Sequence, residues 1–364
     1  MHISELETPA LVIDLDIMER NLARAAAYAR DHSLRLRPHT KTHKTPAIGR
    51  MQLDHGAAGL TVAKVGEAEV MLAADTPDLL VAYPLVGRSK LRRLMEVSRK
   101  ARVTVALDSL FAAQQLSEAA CEARTSVGVL AETDVGLGRV GVDPGAALLD
   151  LAKGIQRLPQ LTFEGVAFYP GHIRAMDEHG KRALSDLAGV VQRISDDFRA
   201  AGIPLRIVSG GSTPSLYYSH LVPGMNEIRP GTYVYNDLNT LVCGACGLED
   251  CAASILVTVV STARPGQMIV DGGSKTFSSD RLIGATEVTF GRVVEAPGCA
   301  FVKMNEEHGY IDVHQAEKRF SVGDRVHIIP NHICAAVNLH ECVYGVRGEQ
   351  VEQVWRVEGR GKLQ

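Results

Sequence analysis

Leu11-Val12-Ile13-Asp14-Leu15-Asp16 is the stretch on which the fold turns. Three successive apolar residues read as a buried strand. The turn that follows is acidic and holds no glycine. An open, doubly wound sheet normally carries a glycine-rich turn after its first strand, so this start favours a closed barrel. The next segment places Met18, Leu22, Ala25, Ala26 and Ala29 at helical spacing along one face.

Moving outward, the same alternation recurs. Strand-like runs fall at 33–37, 59–63, 79–83, 103–107, 127–132, 163–168, 206–208 and 228–235. Helical patterns at 67–74, 90–100, 110–124 and 181–201 separate most of them. A repeated strand–helix unit implies a parallel sheet with helices outside. With the first run included there are nine strand-like runs, one more than a (β/α)8 TIM barrel needs. The surplus run belongs elsewhere, and the first strand can pack with a second domain. Beyond about residue 240 the runs are short, β-rich and punctuated by Pro-Gly, Gly-Gly and Gly-Asp turns, with almost nothing helical. The expected organisation is an α/β barrel over residues 1–240, followed by a mostly antiparallel β domain over 241–364.

Composition narrows the function classes. At roughly 100–200 residues per domain, 364 residues suit two or three domains. Hydrophobic residues at 46% and charged residues at 22% are ordinary for a globular protein. With 39 Lys+Arg against 42 Asp+Glu there is no basic surplus to neutralise phosphates, so nucleic acid is not an expected partner. No run approaches about 18 apolar residues, so no membrane partner is expected either. Seven cysteines cannot all pair within one chain, and no secretory signal opens the sequence. Reduced thiols and a cytoplasmic location are the simpler reading.

The candidate chemistry sits just past the strand-like runs, where barrel enzymes place it. Arg37-Pro38-His39-Thr40-Lys41-Thr42-His43-Lys44 packs two histidines and two lysines into six positions. It reads either as a solvated basic loop or as the setting of a Schiff-base lysine, whose amine is freed by like-charge neighbours and burial. Asp134 to Gly141 is a glycine-rich loop that ends in Arg139-Val140-Gly141. Ser209-Gly210-Gly211-Ser212-Thr213-Pro214 offers backbone donors and hydroxyls for a phosphate, or is a plain turn. Tyr169-Pro170-Gly171-His172 could reach the barrel mouth, with His172 as an acid/base group. Pro330-Asn331-His332-Ile333-Cys334 would put imidazole and thiol on one face if extended, a pair that suits zinc; a buried cysteine beside a bonded histidine is the plainer account. Cys243-Gly244-Ala245-Cys246, with Cys251 nearby, reads as packed thiols rather than a redox pair or a metal knuckle. Glu306-Glu307-His308-Gly309 reads as a charged hairpin turn.

Taken together and in this order, these segments resemble the D-threonine aldolase / D-serine dehydratase family. That family comprises fold-type III pyridoxal-phosphate enzymes related to alanine racemase. The resemblance runs from Glu7-Thr8-Pro9-Ala10 through Pro38–Lys44 and Glu227-Ile228-Arg229-Pro230-Gly231-Thr232-Tyr233 to Val337-Asn338-Leu339-His340. It implies that Lys41 is the Schiff-base lysine, that Arg139 lies near the pyridoxal 3′-oxygen, and that Tyr169 contacts the ring. Ser209, Gly210, Gly211, Ser212 and Thr213 would cradle the phosphate, joined by Gly231 and Tyr233. Arg229 matches the position at which racemases hold the pyridine nitrogen. His332 and Cys334 would bind a divalent metal, zinc or manganese first, with magnesium or cobalt as alternatives. The family forms homodimers with shared active sites.

The implied reaction is retro-aldol cleavage of a β-hydroxy-D-amino acid to glycine and an aldehyde, with His172 or a metal-bound water as base. The alternative is β-elimination, as in D-serine dehydratase, giving a 2-oxo acid and ammonia. The aldolase branch often carries a carboxylate where Cys334 stands, which leans toward zinc and dehydration. The barrel and the Ile228–Tyr233 segment lean toward the aldolases. A racemase and a non-catalytic cofactor carrier are the further rivals.

Overall fold

In the computed structural model, which describes residues 1–364, nine strand segments precede residue 240, and the first of them leaves the other eight. β1, Ala10–Asp14, joins a sheet built from the far end of the chain. The eight that follow are β2 Arg35–Leu36, β3 Leu60–Val62, β4 Asp78–Val81, β5 Arg102–Leu107, β6 Val127–Glu132, β7 Leu161–Ala167, β8 Ile207–Gly210 and β9 Glu227–Ile228. They form one parallel sheet in the order β2-β9-β8-β7-β6-β5-β4-β3. Its edges meet: the Thr61 N–H donates to the Pro38 carbonyl and the Thr40 N–H to the Thr61 carbonyl, both at 2.8 Å. The expected barrel is therefore present.

The strands are short and apolar because they are covered on both sides, as parallel strands must be. Every residue of β6 is buried. Outside, the helix Glu178–Ala200 buries Leu184, Leu187, Val191, Ile194 and Phe198 along one stripe. Its start is fixed by Asp177, whose carboxylate accepts the Gly180 N–H at 2.8 Å. Ser109 caps the helix Leu110–Ala123 in the same way.

The inner face is partly apolar, with Leu80, Ala106, Leu130, Ala167 and Ile207 packed together. It is also charged. Glu132 pairs in register with Ala167, Ala167 with Ser209, and Ser209 with Glu227, so one row carries two carboxylates and a hydroxyl. Arg37, 1% exposed, donates from Nε to Glu227 Oε2 at 2.9 Å and from Nη2 to Asp78 Oδ2 at 3.2 Å. Its Nη1 lies 2.9 Å from Asp78 Oδ1 as an ion pair, off the hydrogen-bond direction. Gly59, at φ +157°, makes room: a Cβ there would stand 2.5 Å from the Asp78 carbonyl oxygen and 2.9 Å from Arg37 Nη1.

The second sheet has nine strands. β1 pairs antiparallel with β10, Ala253–Ser261. The others are β11 Gln267–Val270, β12 Gly291–Val293, β13 Ala300–Met304, β14 Gly309–Asp312, β15 Arg325–Pro330, β16 Cys342–Arg347 and β17 Gln350–Arg356. Every pairing in it is antiparallel except β1 with β16. The expected mostly antiparallel β domain is present. The chain divides into two compact units: Met1–Leu22, Thr42–Lys44 and Thr232–Gly361 form the β unit, and Ala23–Lys41, Thr45–Gly231 and Lys362–Gln364 form the barrel unit. No helix is long and apolar enough to cross a membrane.

Three expectations need correction. The glycine-free turn after Ile13 follows a strand that is not in the barrel, so it carried no information about barrel closure. The run 228–235 is a strand only over Glu227–Ile228; Pro230 has no N–H to give a ladder, and Thr232–Val234 is a turn of 3-10 helix. The segment at His332 is not extended throughout. His332 caps a short helix, Ile333–Val337, which contains Cys334, so strand periodicity is not what sets their relative directions. Leu238–Val242 and Ser274–Phe277 are also helical.

Replacing Arg37 by Met should destabilise the protein by about 3–5 kcal/mol, because two buried carboxylates lose their partner. Chemical denaturation measures this; a loss below about 1 kcal/mol would show that the ion pairs are not what holds the barrel interior.

Candidate active site

Lys41 lies five residues past β2, beyond the carboxyl ends of the barrel strands. Its side chain is exposed, and its backbone N–H donates to His39 Nδ1 at 3.3 Å. Lys41 Nζ is 6.0 Å from the centre of the Tyr169 ring, and the Arg139 guanidinium carbon is 4.8 Å from the same centre. One aromatic ring thus gathers a lysine and an arginine that stand far apart in sequence.

The loop bearing Arg139 is shaped by a carboxylate. Asp134 accepts the N–H groups of Gly136 and Leu137 at 3.0 Å and of Gly138 at 2.9 Å. Gly136 sits at φ +119°, and a Cβ there would stand 3.3 Å from His172 Cε1. A Cβ at Gly171 would come within 2.4 Å of the Tyr169 ring. These two glycines let the loops after β6 and β7 approach each other. His172 Nδ1 is buried and has no hydrogen-bond partner in the protein.

Beneath these groups lies the charged row. Arg229, buried, donates to Ser209 Oγ at 2.5 Å and to the Phe168 carbonyl at 2.9 Å. Ser209 Oγ in turn donates to Glu227 Oε1 at 2.7 Å. Burial pulls the Arg229 guanidinium pKa below its ordinary value, resisted by Glu132 and Glu227. Glu132, 6% exposed, has an oxygen, Oε2, without a partner. Burial pushes its carboxyl above the usual range, and Arg229 and Arg139 pull it back. Reading the sequence alone missed Glu132; the available signal was a carboxylate ending an otherwise apolar strand.

After β8 the backbone turns through Gly211 at φ +81°, a conformation that favours glycine. A Cβ at Gly210 would overlap the Phe168 ring at 2.3 Å. Ser212 and Thr213 are buried, and Ser212 Oγ lies 3.1 Å from Ser215 Oγ. Gly231, also buried, follows the Arg229 loop. The Ser209 hydroxyl is engaged by Arg229 and Glu227, while Gly210, Gly211, Ser212 and Thr213 form the turn itself. A left-handed glycine in a buried hydroxyl-bearing turn, an orphan imidazole nitrogen and an orphan carboxylate oxygen fit a flat, phosphorylated pyridine ring.

The β unit holds a second cluster. Cys334 Sγ lies 3.2 Å from Thr42 Oγ1 and 3.7 Å from Thr232 Oγ1. His332 Nδ1 lies 3.1 Å from Asp237 Oδ2, which also accepts the Ile333 N–H at 3.0 Å. Burial opposes a charge on His332, but hydrogen bonds to Asp237 and Cys334 outweigh it and carry the pKa up to about 11. Burial likewise opposes a thiolate at Cys334, and the His332 contact outweighs it, leaving the thiol below its ordinary value. A thiolate beside an imidazole whose other nitrogen is tied to a carboxylate is the donor set of a zinc site with an outer carboxylate. No group of three or more His, Cys, Asp or Glu side chains is placed to hold a metal. Two protein ligands would leave the remaining positions to water or substrate. Asp237, wholly buried, went unrecognised in the sequence, although Asp237-x-x-Thr240 has the spacing of a helix cap. Tyr233 is buried in the 3-10 turn of this unit. Glu307 pairs with Lys275 at 2.7 Å on the hairpin between β13 and β14.

Known proteins bear on both units. The family described as alanine racemase, N-terminal domain, matches residues 13–239, and the putative serine dehydratase domain matches 252–346. A 3-hydroxy-D-aspartate aldolase of Paracoccus denitrificans is 33% identical, covering 99% of this chain and 93% of its own. The crystal structure of a D-threonine aldolase from Filomicrobium marinum superposes with a TM-score of 0.92 at 30% identity, covering 99% of this chain and 98% of that one. A D-threo-3-hydroxyaspartate dehydratase from Delftia sp. HT23 does so at 0.90 and 31%, covering 98% of each. Solved variants of that dehydratase replace a histidine, and a cysteine two positions on, the latter in metal-free form.

Glu132→Gln should stabilise the protein at neutral pH. A carboxyl raised in the folded state favours folding at low pH, and that contribution is lost as pH rises past its unfolded value near 4.5. The gain of the variant over the parent should therefore appear between pH 4 and 7 in denaturation curves. A constant difference across that range would refute the raised carboxyl.

Proposed function

The chain belongs to the alanine racemase N-terminal domain family, its β unit matching a serine dehydratase domain, and we propose that it is a pyridoxal-phosphate lyase of β-hydroxy-D-amino acids working in the D-threonine aldolase manner. The observation that carries this reading is the grouping on Tyr169. Its ring holds Lys41 and Arg139, while His172, three residues on, keeps a ring nitrogen without a partner.

When bound, pyridoxal phosphate supplies an electron sink for the pair of electrons left at the substrate's α-carbon. Lys41 is the amine that would anchor its aldehyde. Tyr169 and Arg139 would bear on the ring and its oxygen. The Gly210–Thr213 turn, with Gly231, would receive the phosphate through backbone N–H groups and hydroxyls. Arg229, fixed by Ser209 and the Phe168 carbonyl and neighboured by Glu132, would offer its guanidinium to the ring. His172 would accept the proton of the β-hydroxyl, and Cα–Cβ cleavage, with a proton returned to Cα, leaves glycine and an aldehyde. His332 and Cys334 would hold a divalent metal that lowers the pKa of a hydroxyl or water, with zinc favoured by the soft sulfur. Asp237 keeps the His332 imidazole in one tautomer and orientation.

Dehydration is the second reading, favoured by Cys334. The Delftia enzyme is a dehydratase whose solved variants touch a histidine and cysteine at the same spacing. In that reading Lys41 takes the α-proton and hydroxide leaves. We also propose a cytoplasmic homodimer.

Product analysis with D-threonine, D-serine and 3-hydroxy-D-aspartate decides the branch. Glycine with an aldehyde is expected; ammonia with a 2-oxo acid would replace aldolase by dehydratase. Lys41→Ala should bring the visible absorption of the purified protein to that of free pyridoxal phosphate, and an unaltered spectrum would remove Lys41 from its role. Asp237→Asn should weaken zinc affinity about 10- to 100-fold, and His332→Ala should lose zinc while keeping the cofactor. Parental zinc affinity in both variants would refute the metal site.

A further inference from the structure

The thiols of Cys246 and Cys251 take no part in the chemistry proposed above, yet they are joined to it. Both lie in one pocket with Leu238, Leu241, Leu248 and Ile329. Neither is in a disulfide, and the two share a hydrogen bond. The chain between them folds back in one turn of 3-10 helix, Leu248–Asp250. Asp250 Oδ2 accepts the Gly247 N–H at 3.0 Å, and the Leu248 carbonyl accepts the Cys251 N–H at 3.1 Å. This turn is what returns residue 251 to residue 246.

The pair leads toward His332. Cys246 Sγ donates to Thr240 Oγ1 at 3.6 Å. Thr240 is tied closely to Asp237: its N–H donates to Asp237 Oδ1 at 2.8 Å, its hydroxyl to the Asp237 carbonyl at 2.8 Å, and Thr240 Oγ1 accepts the Asp237 N–H at 2.7 Å. Asp237 Oδ2 is the partner of His332 Nδ1. The shared hydrogen bond lowers the Cys246 thiol below its ordinary value and, with burial, pushes that of Cys251 up. One thiol is thereby disposed to attack and the other to wait.

We propose that Cys246 and Cys251 form a dithiol modification site for small disulfide oxidants, and that its closure to an intrachain disulfide loosens Asp237 from His332. The Cys246 thiolate attacks one sulfur of the oxidant, RSSR. The oxidant's S–S bond breaks, a Cys246–SR bond forms, and RS⁻ leaves with the proton Cys246 gave up. The Cys251 thiol then loses its proton and attacks the Cys246 sulfur, expelling the second RS⁻, which takes that proton. The two cysteines lose two electrons, and RSSR becomes two RSH. Bringing the sulfurs to about 2.05 Å removes the thiol proton that Thr240 accepts and moves Cys246 away from it. The covalent step stands on the thiols alone; its effect on the metal rests on His332 acting as proposed above.

The test treats the full chain, loaded with pyridoxal phosphate, with oxidised glutathione in a Cys243→Ser background, then maps peptides without reduction. A Cys246–Cys251 linkage is expected. Cys251→Ser should stop at a glutathione adduct on Cys246, and Cys246→Ser should give neither product. Phenylarsine oxide, which needs two adjacent thiols, should protect both from alkylation in the parent. Modification of exposed Cys121 with none at Cys246, or an adduct at Cys246 that Cys251 never resolves, overturns the site. Zinc affinity, read by chelator competition, should fall about tenfold in the linked protein and return with dithiothreitol. Linkage with unchanged zinc affinity overturns the connection to His332. If the reduced protein binds no zinc at all, the His332 reading has failed, and peptide mapping alone decides the dithiol.

Discussion

A guanidinium cannot be taken out of water unless its charge is answered, and Arg37 is almost wholly enclosed. Asp78 from β4 and Glu227 from β9 answer it. The sheet's seam lies between β2 and β3, so this trio reaches across the place where the barrel closes. Much else follows from it. Gly59 must lack a side chain to let Arg37 pass. Glu227, committed on one oxygen to Arg37, uses the other for Ser209. Ser209 accepts from Arg229. A chain of charge-assisted bonds thus runs from the closing seam to Arg229, whose position is set through Ser209 of the neighbouring strand by Glu227, two residues earlier on its own.

The two units handle polar burial differently. In the barrel, buried carboxylates and guanidinium groups from different strands answer one another, with unpartnered atoms left on residues such as Glu132 and His172. In the β unit one carboxylate, Asp237, does several tasks at once. It caps a short helix, receives the Ile333 N–H and orients His332. Loss of that carboxylate would therefore be felt both in local folding and at the proposed metal site.

Periodicity made the barrel legible, because each strand–helix unit is local and its apolar spacing survives in the sequence. The second domain was legible from its turns. What could not be read was direction. Arg37 and Lys41 belong to one basic string, yet the first is sealed inside the barrel and the second is exposed. No spacing rule distinguishes them, since the difference is made by Asp78 and Glu227. The geometry of His332 and Cys334 was misjudged for a related reason. Pro330 and Asn331 continue the strand pattern, and only Asp237, far back in the chain, draws the backbone into a helix at Ile333. The site residues on glycine-rich loops were easier to find, because backbone freedom leaves a mark in composition.

β1 has a consequence for how the chain is made. From β3 to β9 each barrel strand pairs with the next in sequence, so the barrel can assemble as it emerges. β1 pairs instead with Ala253–Ser261 and Cys342–Arg347. β1 thus emerges early and gains its second neighbour only when Cys342–Arg347 follows. Until Cys342–Arg347 emerges, Ala10–Asp14 is an apolar strand with an open edge, available to other chains. The protein's most vulnerable moment comes in synthesis, while a completed barrel waits for the far end of the chain to take up its beginning.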